Sequence, residues 1–218
     1  MPLRERFDQK LRALQDNLIQ LSEMVCHAAQ ESVQALKSQD LDRARRVVVY
    51  DSELNTLRFR IEEACLNLLA TQQPTARDLR LIIAAMNVVL DLERMGDHAA
   101  NIAKIVIRMQ GEPPLKPLID IPQMADKGCD MLRQALQAYV DMDGQQAKGI
   151  LARDDEIDQL YNQIFRELLT YMIEDESTVK RAMHLLFVAH NLERIGDRVS
   201  NICERVVYLE TGVMQELA

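Results

Sequence analysis

Leu92-Glu93-Arg94-Met95-Gly96-Asp97 and Leu192-Glu193-Arg194-Ile195-Gly196-Asp197 are one segment written twice, 100 positions apart, with a single apolar exchange. Laying residues 88–106 over 188–206 makes nine of 19 positions identical, among them Glu, Arg, Gly, Asp and Asn. Unrelated helices would share about one or two. A common apolar heptad would repeat Leu and Val but not those polar residues. A weaker register lays Asp51-Ser52-Glu53-Leu54-Asn55-Thr56-Leu57 over Asp154-Asp155-Glu156-Ile157-Asp158-Gln159-Leu160. The chain is an internal duplication.

Working outward, Leu11, Leu14, Leu18, Leu21 and Val25 carry helical spacing and predict a first helix over about 3–37, broken at Ser38-Gln39-Asp40. Val47, Leu54, Leu57, Ile61, Cys65 and Leu68 predict a second, ending near Gln72-Gln73-Pro74. A third runs from there to about Met109. Gly111-Glu112-Pro113-Pro114-Leu115-Lys116-Pro117 holds three of the six prolines, and no helix passes through it. After it the plan repeats: helices over about 118–142, 145–173 and 177–211, with breaks at Asp143-Gly144 and Gly212. The predicted fold is all-α, two tandem three-helix bundles over residues 1–110 and 118–218, joined by a linker at 111–117.

Composition agrees. Of 218 residues 48% are hydrophobic, only 4% are aromatic, Trp is absent, and Gly (7) and Pro (6) are scarce, which excludes a sandwich or barrel. Cys26, Cys65, Cys129 and Cys203 are dispersed, with no CxxC pair, and read as small buried hydrophobes in a reducing compartment. Met1-Pro2-Leu3-Arg4-Glu5-Arg6 leads into no apolar run and no stretch of 18 apolar residues occurs, so the expectation is a cytoplasmic protein. Lys and Arg total 26 against 34 acidic residues, a net charge of −8 that argues against nucleic-acid binding.

The repeated polar residues carry the chemistry. Glu93 and Asp97, like Glu193 and Asp197, stand four apart and so share one helix face. Asn101 and Asn201 extend that face by one turn. Asp51 with Asn55, and Asp154 with Asp158, repeat the spacing on the preceding helix. If those faces pack side by side, each half presents an all-oxygen patch suited to a hard or borderline divalent ion such as Mg, Mn or Fe(II). Against this, an acidic stripe is usually a solvated face, and Arg94 and Arg194 are placed to neutralise it in salt bridges. Two features favour a site: recurrence of the same polar set, and Gly96 and Gly196 in mid-helix, where each costs about 1 kcal/mol relative to Ala. His98 and His190 have no equivalents in the other half and read as incidental, as do Arg77 and Arg80 in a solvated first turn. No P-loop, dinucleotide turn or nucleophile elbow occurs, so nothing argues for an enzyme.

The doubled Leu-Glu-Arg-x-Gly-Asp, the acidic pair on the second helix, and the run Pro74-Thr75-Ala76-Arg77-Asp78-Leu79-Arg80 leading to Glu93 and Asn101 resemble the PhoU family of phosphate-transport accessory proteins over essentially the whole chain. The resemblance implies multinuclear metal sites at Asp51, Glu93 and Asp97 in the first half and at Asp154, Asp158, Glu193 and Asp197 in the second. Asn55 departs from the pattern, its neutral amide standing where the second half has Asp158. The resemblance further implies a cytoplasmic, dimeric negative regulator linking the phosphate import transporter, through its ATPase component, to a phosphate-sensing histidine kinase. A metal-free helical adaptor and a metal-dependent hydrolase are the alternatives.

Overall fold

The apolar spacing that opens the chain continues for 36 residues as α1 (Leu3–Ser38), which buries Leu14, Leu18, Leu21 and Val25 along one stripe. Gln39 takes a left-handed φ of 56°, ending the helix, and Asp40 starts the next by accepting a 2.8 Å bond from the Arg43 amide. α2 (Leu41–Gln72) follows, then α3 (Ala76–Met109), α4 (Asp120–Asp141), α5 (Gly144–Leu151), α6 (Asp154–Glu174) and α7 (Val179–Thr211), with a short 3-10 turn at Glu176–Thr178. This computed structural model describes residues 3–72 and 74–213, with no strand among them. Gln73, at the expected end of the second helix, lies outside the described residues, as do residues 1–2 and 214–218 at the ends of the expected halves.

Three boundaries differ from those expected. The predicted helix over 145–173 is two helices, because the chain turns at Ala152-Arg153. The cause is local: Asp154, Asp155 and Glu156 make an acidic first turn for α6, favourable at a helix N-terminus, while Arg153 reaches Asp130 (2.8 Å) and Gln134 (3.1 Å) on α4. The fourth helix starts at Asp120 rather than 118, and the last at Val179 rather than 177, after Asp175 has capped the 3-10 turn through the Ser177 amide. The stop at Gly212 is as expected: its φ of 73° suits Gly, and its amide bonds the Tyr208 carbonyl at 2.8 Å.

α1, α2 and α3 pack together, as do α4, α5, α6 and α7. α3 and α7 meet along the middle of the molecule and run antiparallel: Arg80 lies beside Gly212, Asp91 beside Arg198 and Asn201, and His98 beside Asn191. α1 and α4 also meet antiparallel, through Cys26 and Cys129, Glu23 and Arg133, and Gln30 and Asp126. Cys26 and Cys129 are free and buried, each thiol facing the other's carbonyl at 3.7 Å. Cys65 and Cys203 are likewise free and buried. Their role as small core residues is as expected.

Candidate functional site

Gly96 and Gly196 explain how the acidic residues of two helices come together. A Cβ at Gly196 would lie 3.1 Å from both Asp154 Oδ1 and Ile157 Cδ1, and one at Gly96 would lie 3.2 Å from Leu54 Cδ1 and 3.9 Å from Asp51 Oδ1. The missing side chains let α2 approach α3, and α6 approach α7, at the level of the carboxylates. Asp51 thereby feels Asp97, and Glu93 feels both. In the second half Asp154 feels Asp158 and Asp197, and Glu193 feels Asp197 and Asp158. The predicted patch residues Asp51, Glu93, Asp97, Asp154, Asp158, Glu193 and Asp197 are thus brought to two surfaces, one per half.

Their ionisation reflects that crowding. Burial first, and neighbouring carboxylates second, raise the pKa values of Asp51, Glu93, Asp158 and Glu193. Burial also raises Asp154, opposed by a 2.8 Å bond from the Ser200 hydroxyl. Partial neutralisation is local and differs between halves. Arg58 of α2 stands 3.8 Å from Glu93 and 3.0 Å from Glu62, whereas Arg194 pairs with Asp197 at 2.6 Å and His190 Nδ1 stands 3.2 Å from Glu193. Asp97 and Asp158 make no ion pair among the described residues. Among those residues no three Asp, Glu, His or Cys side chains converge as a ready-made coordinating set, so gathering the carboxylates on one ion requires rotation about their side-chain bonds.

The supporting residues divide. Asn55 donates to the Asp51 carbonyl at 3.1 Å and to its Oδ2 at 3.2 Å, an amide answering a carboxylate. Asn101 accepts from Lys104 at 3.5 Å. Asn201 leaves the acidic face: it donates to buried Asp91 at 3.2 Å, across the α3–α7 contact. Arg94 forms no ion pair among the described residues. Arg77 and Arg80 hold no common partner: Arg77 points at the Met142 sulfur, 3.5 Å away, while their neighbour Asp78 takes the cap of α3 and an ion pair from Arg4 at 2.6 Å.

The sequence reading missed the contact between the halves. Asp91 faces Arg198 at 3.7 Å, and His98 Nδ1 lies 3.0 Å from Asn191 Oδ1. Positions 91 and 191 correspond under the 100-residue offset, as do 98 and 198, so the two pairs are images of each other about a pseudo-twofold axis. His98 therefore has a structural partner, and burial lowers its pKa, which favours the neutral ring. The available signal was Asp91, a carboxylate within an otherwise apolar stripe of α3.

Two helical units, α1–α3 and α4–α7, each with a paired acidic patch and related by a pseudo-twofold axis between α3 and α7, define a duplicated helical-bundle class. The sequence matches the PhoU domain twice, over residues 18–106 and 121–206, and the chain belongs to the PhoU family. It is 38% identical over 215 residues to the phosphate-specific transport system accessory protein PhoU homolog of Clostridium acetobutylicum, covering 98% of each chain. It is 34% identical over 207 residues to the PhoU accessory protein of Escherichia coli, covering 95% of this chain and 86% of that one. The crystal structure of PhoU from Pseudomonas aeruginosa superimposes with a TM-score of 0.88 at 32% identity, over 95% of this chain and all (100%) of the other. That of the phosphate transport system regulatory protein PhoU from Streptococcus pneumoniae does so with 0.89 at 34% identity, over 97% and 100%. No helix among the described residues is long and apolar enough to cross a membrane.

Proposed function

We propose that the chain is a phosphate-transport accessory protein of the cytoplasm, a non-catalytic negative regulator acting as a homodimer. It restrains the high-affinity phosphate importer, through the ATPase component, and the starvation response, through a sensor histidine kinase. The observation that carries this reading is likeness over 95–98% of the chain to proteins named for that system, at 34–38% identity. Deleting the gene is expected to leave phosphate-starvation genes switched on in rich phosphate; normal repression in that strain would refute the assignment.

The acidic patches would hold divalent cations, Mg, Mn or Fe(II), singly or in clusters. Asp51, Asn55, Glu93 and Asp97 would serve one patch, and Asp154, Asp158, Glu193 and Asp197 the other. The donors fit in chemistry, all oxygen, and in charge, since a cation offsets both the burial and the like-charge crowding that raise their pKa values. The metal-free adaptor is the second reading, favoured by the lack of a converged coordinating set among the described residues. Metal analysis of protein purified without an affinity tag separates the two.

A further inference from the structure

Each acidic patch is the end of a longer surface. On α3 the face bearing Glu93 and Asp97 continues toward the helix N-terminus through Leu90, Met86, Ile83 and Leu79, spaced three and four apart. Leu79, Ile83 and Leu90 are exposed, and Phe59 and Leu66 of the neighbouring α2 are 58% and 57% exposed. The second half repeats the arrangement in register: Val179, Met183 and Leu186 lead to His190 and Glu193 on α7, with Phe187 (50%) beside them and Phe165 and Leu169 exposed on α6. Single exposed apolar residues are ordinary, but an apolar row joined to an acidic row, twice, at equivalent positions, is a contact surface. Leu79 to Asp97 is a span of about 27 Å at helical rise.

We infer that each of these surfaces docks one amphipathic helix of a partner protein, apolar along most of its length and carrying Lys or Arg at one end. Charge complementarity selects this occupant. Asp97 and Asp158 lack cationic partners among the described residues, and the chain as a whole carries −8. A second copy laid on the same face would set carboxylates against carboxylates, and an anionic bilayer would be repelled by them. An apolar helix face covers Leu79–Leu90 with Phe59 and Leu66, while its basic end supplies the charge that the acidic residues lack. The inference rests on the adaptor reading, specifying how that adaptor's partner is held. It also makes divalent cation and partner rivals for the same carboxylates.

The test uses metal-stripped full-length protein and a synthetic helix of about 20 residues, Leu on one face and Lys gathered at one end, with a scrambled peptide of the same composition as control. The ordered peptide is expected to bind about tenfold or more tightly than the scrambled one. The unmodified chain is expected to bind two peptides; the variant Phe59→Ser/Leu66→Ser/Ile83→Ser is expected to weaken the first-half surface at least about tenfold and so keep one tight site, while Val49→Ser, at a site 69% exposed on α2, keeps both. Excess Mn²⁺ is expected to weaken the peptide. Hydrogen exchange on the unmodified protein should place peptide protection on α2, α3, α6 and α7 and leave α1 and α4 unchanged, which serves even if the triple variant fails to fold. Two tight sites retained in the triple variant, protection on α1 and α4, dissociation of a dimer by the triple substitution without peptide, or tight binding to phosphatidylglycerol vesicles would each overturn the inference. A folded variant that also carries Phe165→Ser/Leu169→Ser/Phe187→Ser, binds no peptide and yet maintains repression in cells would overturn the inference alone. Repression in a strain lacking the gene refutes the adaptor reading instead.

Discussion

The two acidic patches share an ancestor in sequence yet balance their charge by different means. In the first half Asp51 sits in mid-helix, Asn55 answers it with an amide, and Arg58 leans across from α2 to Glu93. In the second half Asp154 is the first residue of α6, Asp158 replaces the amide with a carboxylate, and Tyr161 stands where Arg58 does under the helix-two register. Its compensation comes from α7 itself, through Arg194 and His190, and from Ser200. The first patch thus brings in a cation from its neighbouring helix, whereas the second keeps one more acid and begins a helix with it. Equivalent positions do not make equivalent electrostatics.

The largest expected effect concerns the helix approach. Gly196→Val should cost about 3 kcal/mol and Gly96→Val about 2, because a side chain at 196 meets Asp154 and Ile157 together while one at 96 meets chiefly Leu54. Urea unfolding of the two variants measures this, and an equal or reversed order breaks the structural comparison. Next comes cation binding. With four carboxylates against three and an amide, the second patch should fill first when Mn²⁺ is added to stripped protein. Asp158→Asn should weaken the tighter phase by about tenfold and Asn55→Asp should strengthen the weaker phase similarly. If Asn55→Asp leaves the weaker phase unmoved, ligand charge is not what separates the halves.

A smaller effect sharpens the role of the borrowed cation. Arg58→Gln should raise cation affinity of the first patch about threefold, while Tyr161→Phe leaves the second unchanged; calorimetric titration reads both. The smallest is a pH dependence without metal. The raised pKa values mean that these acids bind protons more readily folded than unfolded. Their contribution to stability is therefore fully present below the unfolded values, 3.8 for Asp and 4.5 for Glu, and is lost as pH rises through the raised ones. Stripped protein should gain stability as pH falls through the raised values toward the unfolded ones. Asp158→Asn/Glu193→Gln should flatten that slope more than Glu93→Gln does. A slope that steepens in the double variant would contradict the crowding described for the second patch.

Much of the site was legible because helical spacing is local. Glu93 and Asp97 share a face by their separation alone, and the duplicated segment made that face worth noticing. Gly96 and Gly196 announced a close approach before its partners were known. Asn201 was misplaced by the same local reasoning: its spacing extends the acidic row, but its amide turns to Asp91 on the other half. The break at Ala152-Arg153 was hidden inside an apolar spacing that runs on through it, although the acid triplet after it marks a helix start.

By itself the sequence determined six stretches of helix to within a few residues, the duplication, the apolar stripes and the chemistry of the patches. All of these follow from the 3.6-residue period, from capping residues and from side-chain type, which act within a turn or two. Only the tertiary structure decided that α3 and α7 run antiparallel and pair Asp91 with Arg198 and His98 with Asn191. Those relations depend on how two helix surfaces interdigitate across the molecule. Side-chain volumes from both halves set that register jointly, and no stretch of one helix contains it.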